Sequence, residues 1–287
     1  MMKQKTITLL GIALAAATAA SCGSGASSET NAASDGVRNF NVSLNMKSAE
    51  RFYRTVLAGD TIYIDQSATI QWPEILGDFN LSTLRDTIVS LAFSTPAPAT
   101  AAEVTPDIDK LILDNVSDMS MLGDSLTYET LDSLPSAQDI APYYSDVTAS
   151  ILEFNDKLVT YQVSHFIYTG GAHPNSNTQP FTYDLVNGRV LNVGNMFRAG
   201  SEKEVISIVQ NSLARQLGIQ PSQLESAGIF LSQFTSPGMP YINNDVIVFH
   251  FNPYDIAPYS MGNIDVAVYP YELNEYLTPE VKALLDE

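Results

Sequence analysis

Apolar and polar residues alternate over "FNVSLNM" (Phe40–Met46), which predicts a half-buried strand. "DTIYIDQSATIQWP" (Asp60–Pro73) predicts a second extended region, closed by Trp72-Pro73. The period then lengthens. In "NLSTLRDTIVSLAF" (Asn80–Phe93), Leu81, Leu84, Ile88 and Leu91 share one helical face, with Asn80 or Ser82 placed to cap it. "TPAPAT" (Thr95–Thr100) breaks the chain, and Asp107–Val116 predicts another helix after Pro106. Alternation returns in "LVTYQVSHFIY" (Leu158–Tyr168), with Val159, Tyr161, Val163 and His165 on one side and Thr160, Gln162, Ser164 and Phe166 on the other. "FTYDL" and "RVLNV" flank Asn187-Gly188, a hairpin signal. Ser201–Leu217 predicts a helix with a Ser201/Glu204 capping box, a buried stripe of Val205, Ile208, Val209 and Leu213, and Gly218 as its stop. "VIVFHF" (Val246–Phe251) and "IDVAV" (Ile264–Val268) predict strands, and Thr278-Pro279 caps a short last helix. Hairpin-linked strands with helices inserted between them predict an α+β fold. Its sheet is mainly antiparallel with helices packed on it, and its two halves form one compact unit.

The N-terminus obeys a different pattern. Lys3 and Lys5 precede the apolar run "ITLLGIALAAATAA" (Ile7–Ala20), and "AASC" (Ala19–Cys22) supplies small residues up to the single cysteine of the chain. Residues 1–21 thus read as a secretory signal, with Cys22 as a lipidation site that would anchor the protein without spanning the bilayer. "GSGASSETNAASDG" (Gly23–Gly36) is too small and polar to form a core, so residues 22–36 read as a flexible tether. The folded part divides into an N-terminal half at 37–180 and a C-terminal half at 181–287. One cysteine permits no internal disulfide, so stability must come from packing.

Charge narrows the partners. The chain holds 32 acidic and 14 basic residues; removing residues 1–21 takes away Lys3 and Lys5, leaving 12 basic against 32 acidic, a formal net charge of −20. Nucleic acid is excluded as a partner because phosphate contacts need Lys and Arg. A basic protein or cationic ligand would be steered toward the chain, although acidity also serves solubility.

Catalytic signatures fail on inspection. "GDSLT" (Gly123–Thr127) matches the nucleophile block of a hydrolase family, but "DNVSDMSML" before it is no buried strand and no histidine lies three residues after an aspartate. Without base and orienting acid, Ser125 is not an activated nucleophile. His165, His173 and His250 lack metal-ligand spacing, and His165 and His250 sit in strand patterns that suit hydrogen-bonded core histidines. Carboxylate pairs are too abundant here to single one out. Gly170-Gly171 has neither the lysine nor the spacing of a phosphate loop. The chain reads as non-enzymatic, with no cofactor and no metal expected.

Two segments remain as candidate binding elements. "YTGGAHPN" (Tyr168–Asn175) follows a strand, and its loop, read as running from Thr169 to Thr178, is longer than a tight hairpin requires. Gly170 and Gly171 permit positive φ, and Pro174 holds His173 extended. The loop is either a rigid turn or a ligand contact, through Tyr168, Gly170, Gly171 and His173. "FNPYDIAPYSMG" (Phe251–Gly262) offers Tyr254, Asp255 and Tyr259 on a backbone stiffened by Pro253 and Pro258. Rigid Tyr/Pro loops suit protein or sugar recognition, and they also serve to seal a core edge.

"YTGGAHPN", "TYDLVNGRVLNVGNMF" and "FHFNPYDIAPYSMGNIDVAVYPYELNEYL" occur in the order and spacing of a family of extracytoplasmic domains. The chain resembles the RsiV-type family, whose members include the extracellular domain of a lysozyme-sensing anti-sigma factor. Others are accessory domains of peptidoglycan deacetylases or stand-alone Bacteroidetes-type lipoproteins without an assigned role. The likeness is close over about Val147–Leu277 and loose over Val37–Asp146. The resemblance implies a ligand-binding envelope protein whose partner is lysozyme or a similar basic wall hydrolase, or else peptidoglycan. The chain departs from the anti-sigma factor in lacking a sigma-binding segment and a transmembrane helix, and from the deacetylases in lacking a catalytic domain. The expected location is the cell envelope, lipid-anchored to the outer or inner membrane, on the periplasmic side or the cell surface.

Overall fold

A computed structural model describes residues 40–94, 107–120, 126–134 and 143–285. The expected signal sequence, the tether, Cys22 and Ser125 lie outside the described residues. Residues Asn39–Glu287 form one compact unit.

Seven strands make a large sheet: β1 Val42–Leu57, β2 Asp60–Leu76, β3 Glu129–Leu131, β4 Tyr143–Phe154, β5 Leu158–Tyr168, β6 Asn175–Asp184 and β7 Arg189–Val190. Their order is β3-β1-β2-β4-β5-β6-β7, with every neighbouring pair antiparallel except β2–β4. Helices α1 (Ser82–Phe93) and α2 (Ile108–Ser117) lie in the crossover between β2 and β4. Their buried Leu84, Ile88, Ile112 and Val116 cover one face of the sheet over Ile70, Trp72, Val147, Tyr161 and Val163. Asp107 caps α2, its Oδ1 accepting the Lys110 N–H, whereas the N-cap of α1 is Leu81 rather than Asn80 or Ser82 and makes no side-chain cap bond, Asn80 Oδ1 accepting the Ser82 N–H in the turn before it. His165 is held as a hydrogen-bonded residue, its Nε2 2.8 Å from Leu91 O in α1.

The first hairpin is longer than the alternation predicts. β1 pairs with β2 along its whole length through a two-residue turn, Ala58-Gly59, with φ of 51° and 95°. Positive φ at both positions is the geometry that matches strand twist.

A second sheet, ordered β10-β9-β8, is built from β8 Met239–Asn243, β9 Val246–Phe251 and β10 Ile264–Val268. Short α3 (Val193–Met196), long α4 (Glu202–Leu217), short α5 (Pro270–Leu273) and α6 (Pro279–Leu285) complete this half. Val205, Val209, Leu213, Phe249, Val266 and Val281 meet in its core. Helix α4 ends as expected, with Gly218 at φ 70° and Ile219 N–H donating to Ala214 O. Its start differs: the Ser201 hydroxyl donates to Arg198 O, so no capping box forms. "RVLNV" is likewise only partly strand, because Asn192 turns to cap α3. The division expected between residues 180 and 181 falls inside β6.

The two halves meet across the face of the large sheet that α1 and α2 leave free. Ile242 N–H donates to Thr182 Oγ1, Thr160 Oγ1 donates to Ile242 O, and the two hydroxyls lie 2.7 Å apart. No described helix is long and apolar enough to cross a membrane.

Candidate functional site

The glycine loop is shorter than its composition suggests. "NSNT" pairs with β5 from Ile167↔Asn175 onward, so only residues 169–174 connect the strands. Polar residues can hold strand geometry there because this end of the sheet is open to solvent on one face. Gly170 and Gly171 adopt φ of 99° and 108°, and Tyr168 Oη donates to Gly171 O at 2.8 Å, pinning the turn.

The loop brings His173 against the tyrosine segment. The His173 and Tyr259 rings stack with centroids 3.7 Å apart and an interplanar angle of 17°. Tyr254 sits 6.4 Å from His173 and 5.9 Å from Tyr259 by ring centroid. His173 Nδ1 lies 2.9 Å from Pro174 O, an acceptor, so the proton of the neutral ring resides on Nδ1. Nε2 is then free to accept the Tyr254 hydroxyl at 3.3 Å. The two candidate segments thus form one ring cluster.

The tyrosine segment is shaped by a turn that costs energy. Asp255 N–H donates to Asn252 O, Pro253 occupies the second position and Tyr254 the third, at φ 73°. That is a type II turn with tyrosine where glycine is favoured, a strain of order 1 kcal/mol. The strained residue is also 55% exposed, so its burial offsets little of this cost. Asp255 turns its carboxylate back to accept the Asn252 N–H at 2.7 Å. Gln233, oriented with its amide nitrogen inward, donates to Tyr254 O and Asp255 O.

Asn252 fastens this segment to the large sheet. Its amide accepts Thr178 N–H at 2.7 Å and donates to Thr178 O at 2.9 Å, replacing a neighbouring strand at the β6 edge. Asn263 adds a bond to Thr178 Oγ1. Beneath lies His250, 2% exposed, with Nδ1 2.7 Å from Asp265 Oδ1. It is a hydrogen-bonded core histidine, as its strand pattern implies. Burial, reinforced by the nearby Asp265 carboxylate, pushes the Tyr241 phenol well above its usual range and keeps it a donor.

Beside the turn opens a groove of about 510 Å³. Asn177, Gln179, Gln233, Asn252 and Asp255 line it, a wall rich in amides. Among the described residues no group of three His, Cys, Asp or Glu is arranged to hold a metal. There is no Lys or Arg from Leu158 to Gly188, nor from Gln216 to Val281, so the segments that build the site carry only acidic or neutral side chains. Tyr168, Gly170, Gly171, His173, Tyr254, Asp255 and Tyr259 all belong to this assembly, the glycines and Asp255 as its supports. Asn252 and Gln233 are the residues that sequence reasoning passed over. Asn-Pro-x-Asp is itself a turn signature that could have found the first.

Residues 194–271 match a family described as "Protein of unknown function (DUF3298)". That stretch includes Tyr254, Asp255 and Tyr259 but not the glycine loop. Two solved structures share the fold. One is a DUF3298 family member from Bacteroides fragilis, at 20% identity and TM-score 0.60, covering 84% of this chain and 96% of that one. The other, from Pseudomonas aeruginosa, is a DUF3298 family protein at 16% identity and TM-score 0.54, with the same coverage. Immunogenic protein MPB64 of Mycobacterium bovis and immunogenic protein MPT64 of Mycobacterium tuberculosis are 28% identical over 101 residues, 34% of this chain. The match spans 43% of the length of these curated relatives.

Proposed function

We propose that this is a non-enzymatic, lipid-anchored envelope protein that binds a basic protein ligand, lysozyme or a similar cationic wall hydrolase being the sharpest candidate. The observation that carries the reading is the convergence of His173, Tyr254 and Tyr259 into one partly exposed ring cluster within segments devoid of Lys and Arg. Tyrosine faces attract Lys and Arg heads, each contact contributing about 0.5–2 kcal/mol. Strain retained at Tyr254 fits a residue kept for contact rather than for stability. The RsiV-type resemblance points the same way. Cys22 supplies the anchor, and labelled palmitate should enter the wild type and not Cys22→Ser.

The amide-lined groove favours a second reading, a peptidoglycan-binding module in which a sugar ring stacks on Tyr254. Salt separates the two. Calorimetric titration with a C-type lysozyme should give saturable one-to-one binding that weakens between low and roughly 0.15 M salt but survives there. Binding at low salt alone would reduce the effect to bulk charge attraction. Salt-independent binding of peptidoglycan fragments, with none of lysozyme, would establish the second reading.

A further inference from the structure

The large sheet presents another surface that the ring cluster does not use. Register places Phe52, Asp65, Tyr144 and Tyr168 in one row across β1, β2, β4 and β5. The next row holds Glu50, Ser67, Asp146 and Phe166. All face away from α1 and α2. Tyr144 and Phe166 stack at 5.4 Å and 19°, Tyr168 lies 5.8 Å from Tyr144, and Phe166 is 39% exposed.

Among the described residues the carboxylates beside these rings have no ion-pair partner, and Asp146 Oδ1 accepts the Ser67 hydroxyl at 2.7 Å. Asp65 Oδ1 is buried and has no hydrogen-bond partner among the described residues. Burial, with the Glu50 and Asp146 charges adding to it, raises the Asp65 carboxyl to about 6. None of the ion pairs among the described residues reaches Glu50, Asp65 or Asp146. A carboxylate with one buried, unpaired oxygen is a standing cost, and it is lowered when a cation arrives from outside.

We propose that this open end of the large sheet is a docking surface for a cationic segment of a partner protein, which seats a Lys or Arg head against the Tyr144 and Phe166 rings and between Glu50, Asp65 and Asp146. Glu50, Asp65, Tyr144, Asp146 and Phe166 are not part of the His173 assembly, although Tyr168 borders both, and the test uses no lysozyme, so each reading can fail alone.

The probe is fluorescein-labelled deca-arginine, followed by anisotropy against the whole protein at roughly 0.15 M salt. Saturable binding is expected, weakened about tenfold or more in Asp65→Asn/Asp146→Asn. Glu202→Gln/Glu204→Gln removes the same charge from the exposed start of α4 and should change affinity less than twofold. The same loss is expected in a Tyr254→Gly background, where the ring cluster can no longer hold part of the probe, and its disappearance there would overturn the proposal. Equal losses in the two charge-matched doubles would reduce the effect to net charge and overturn the proposal. So would the absence of binding, or self-association of the wild type abolished by Phe166→Ala, which would make the occupant a second copy. Because Asp65→Asn removes a half-buried charge whose Oδ1 has no partner, the variant is expected to fold, and a thermal melt run beside the titration verifies this.

Discussion

The face of the large sheet turned away from α1 and α2 is a single surface with two unlike ends. At one end the second sheet covers it. There Thr160 and Thr182 are 0% exposed and exchange hydrogen bonds with Ile242, so every hydroxyl has its partner. At the other end nothing described covers it, and the same alternation of β5 places Phe166 and Tyr168 beside an acid with an unpaired buried oxygen. Pairing of β5 with β6 runs unbroken through both ends, and the face carries Thr160 and Thr182 where covered and Phe166 and Tyr168 where open. What differs is the layer above, and with it the fate of the polar groups: satisfied and structural where covered, unsatisfied and available where open. The tyrosine segment lies between them, tied to Thr178 by Asn252.

Four substitutions would break or sharpen this contrast. Phe249→Ala empties a site in the covered core that is 0% exposed and should cost about 3–5 kcal/mol in urea unfolding. The matching Phe166→Ala at the open end should cost under about 1 kcal/mol. Next in size, Thr182→Val strands the Ile242 N–H and should cost about 1–3 kcal/mol, whereas Thr148→Val on the open part of the same face should stay within about 0.5 kcal/mol.

Asp65→Asn should go the other way. A carboxyl at about 6 when folded and 3.8 when free binds protons more tightly in the native state, so its penalty is absent at low pH and grows as pH rises through that window. Discounted for solvent screening of a half-exposed group, the variant should gain about 1 kcal/mol at pH 8 and nothing at pH 3.5. A stability gain that persists at pH 3.5 would show that titration is not its cause. A small effect of the same sign belongs to Tyr254→Gly, which relieves the strained turn and should leave thermal stability unchanged or raised by up to about 1 kcal/mol.

Much of this architecture is legible in the residues, for identifiable reasons. Leu158–Tyr168 runs as read because its alternation serves one buried face throughout. The helices at Ser82–Phe93, Ile108–Ser117 and Glu202–Leu217 follow their apolar stripes. The first hairpin was hidden because Ala58 stands where asparagine or aspartate would announce the turn. The polar start of β6 was hidden because an open face relaxes the demand for apolar residues. Ser201 failed as a cap because Arg198 O competes for its hydroxyl. At the site, each segment was legible alone. Their union was not, since Asn252 makes it through backbone groups of Thr178, 74 residues away, which leave no side-chain pattern.

The most direct test of the ring cluster as a binding site is to titrate a C-type lysozyme into the wild type and Tyr254→Gly side by side at roughly physiological salt. One-to-one binding by the wild type that falls at least about tenfold in a variant of equal or greater thermal stability is the expected result. Equal affinity in the two proteins, or no binding by either, would contradict the account.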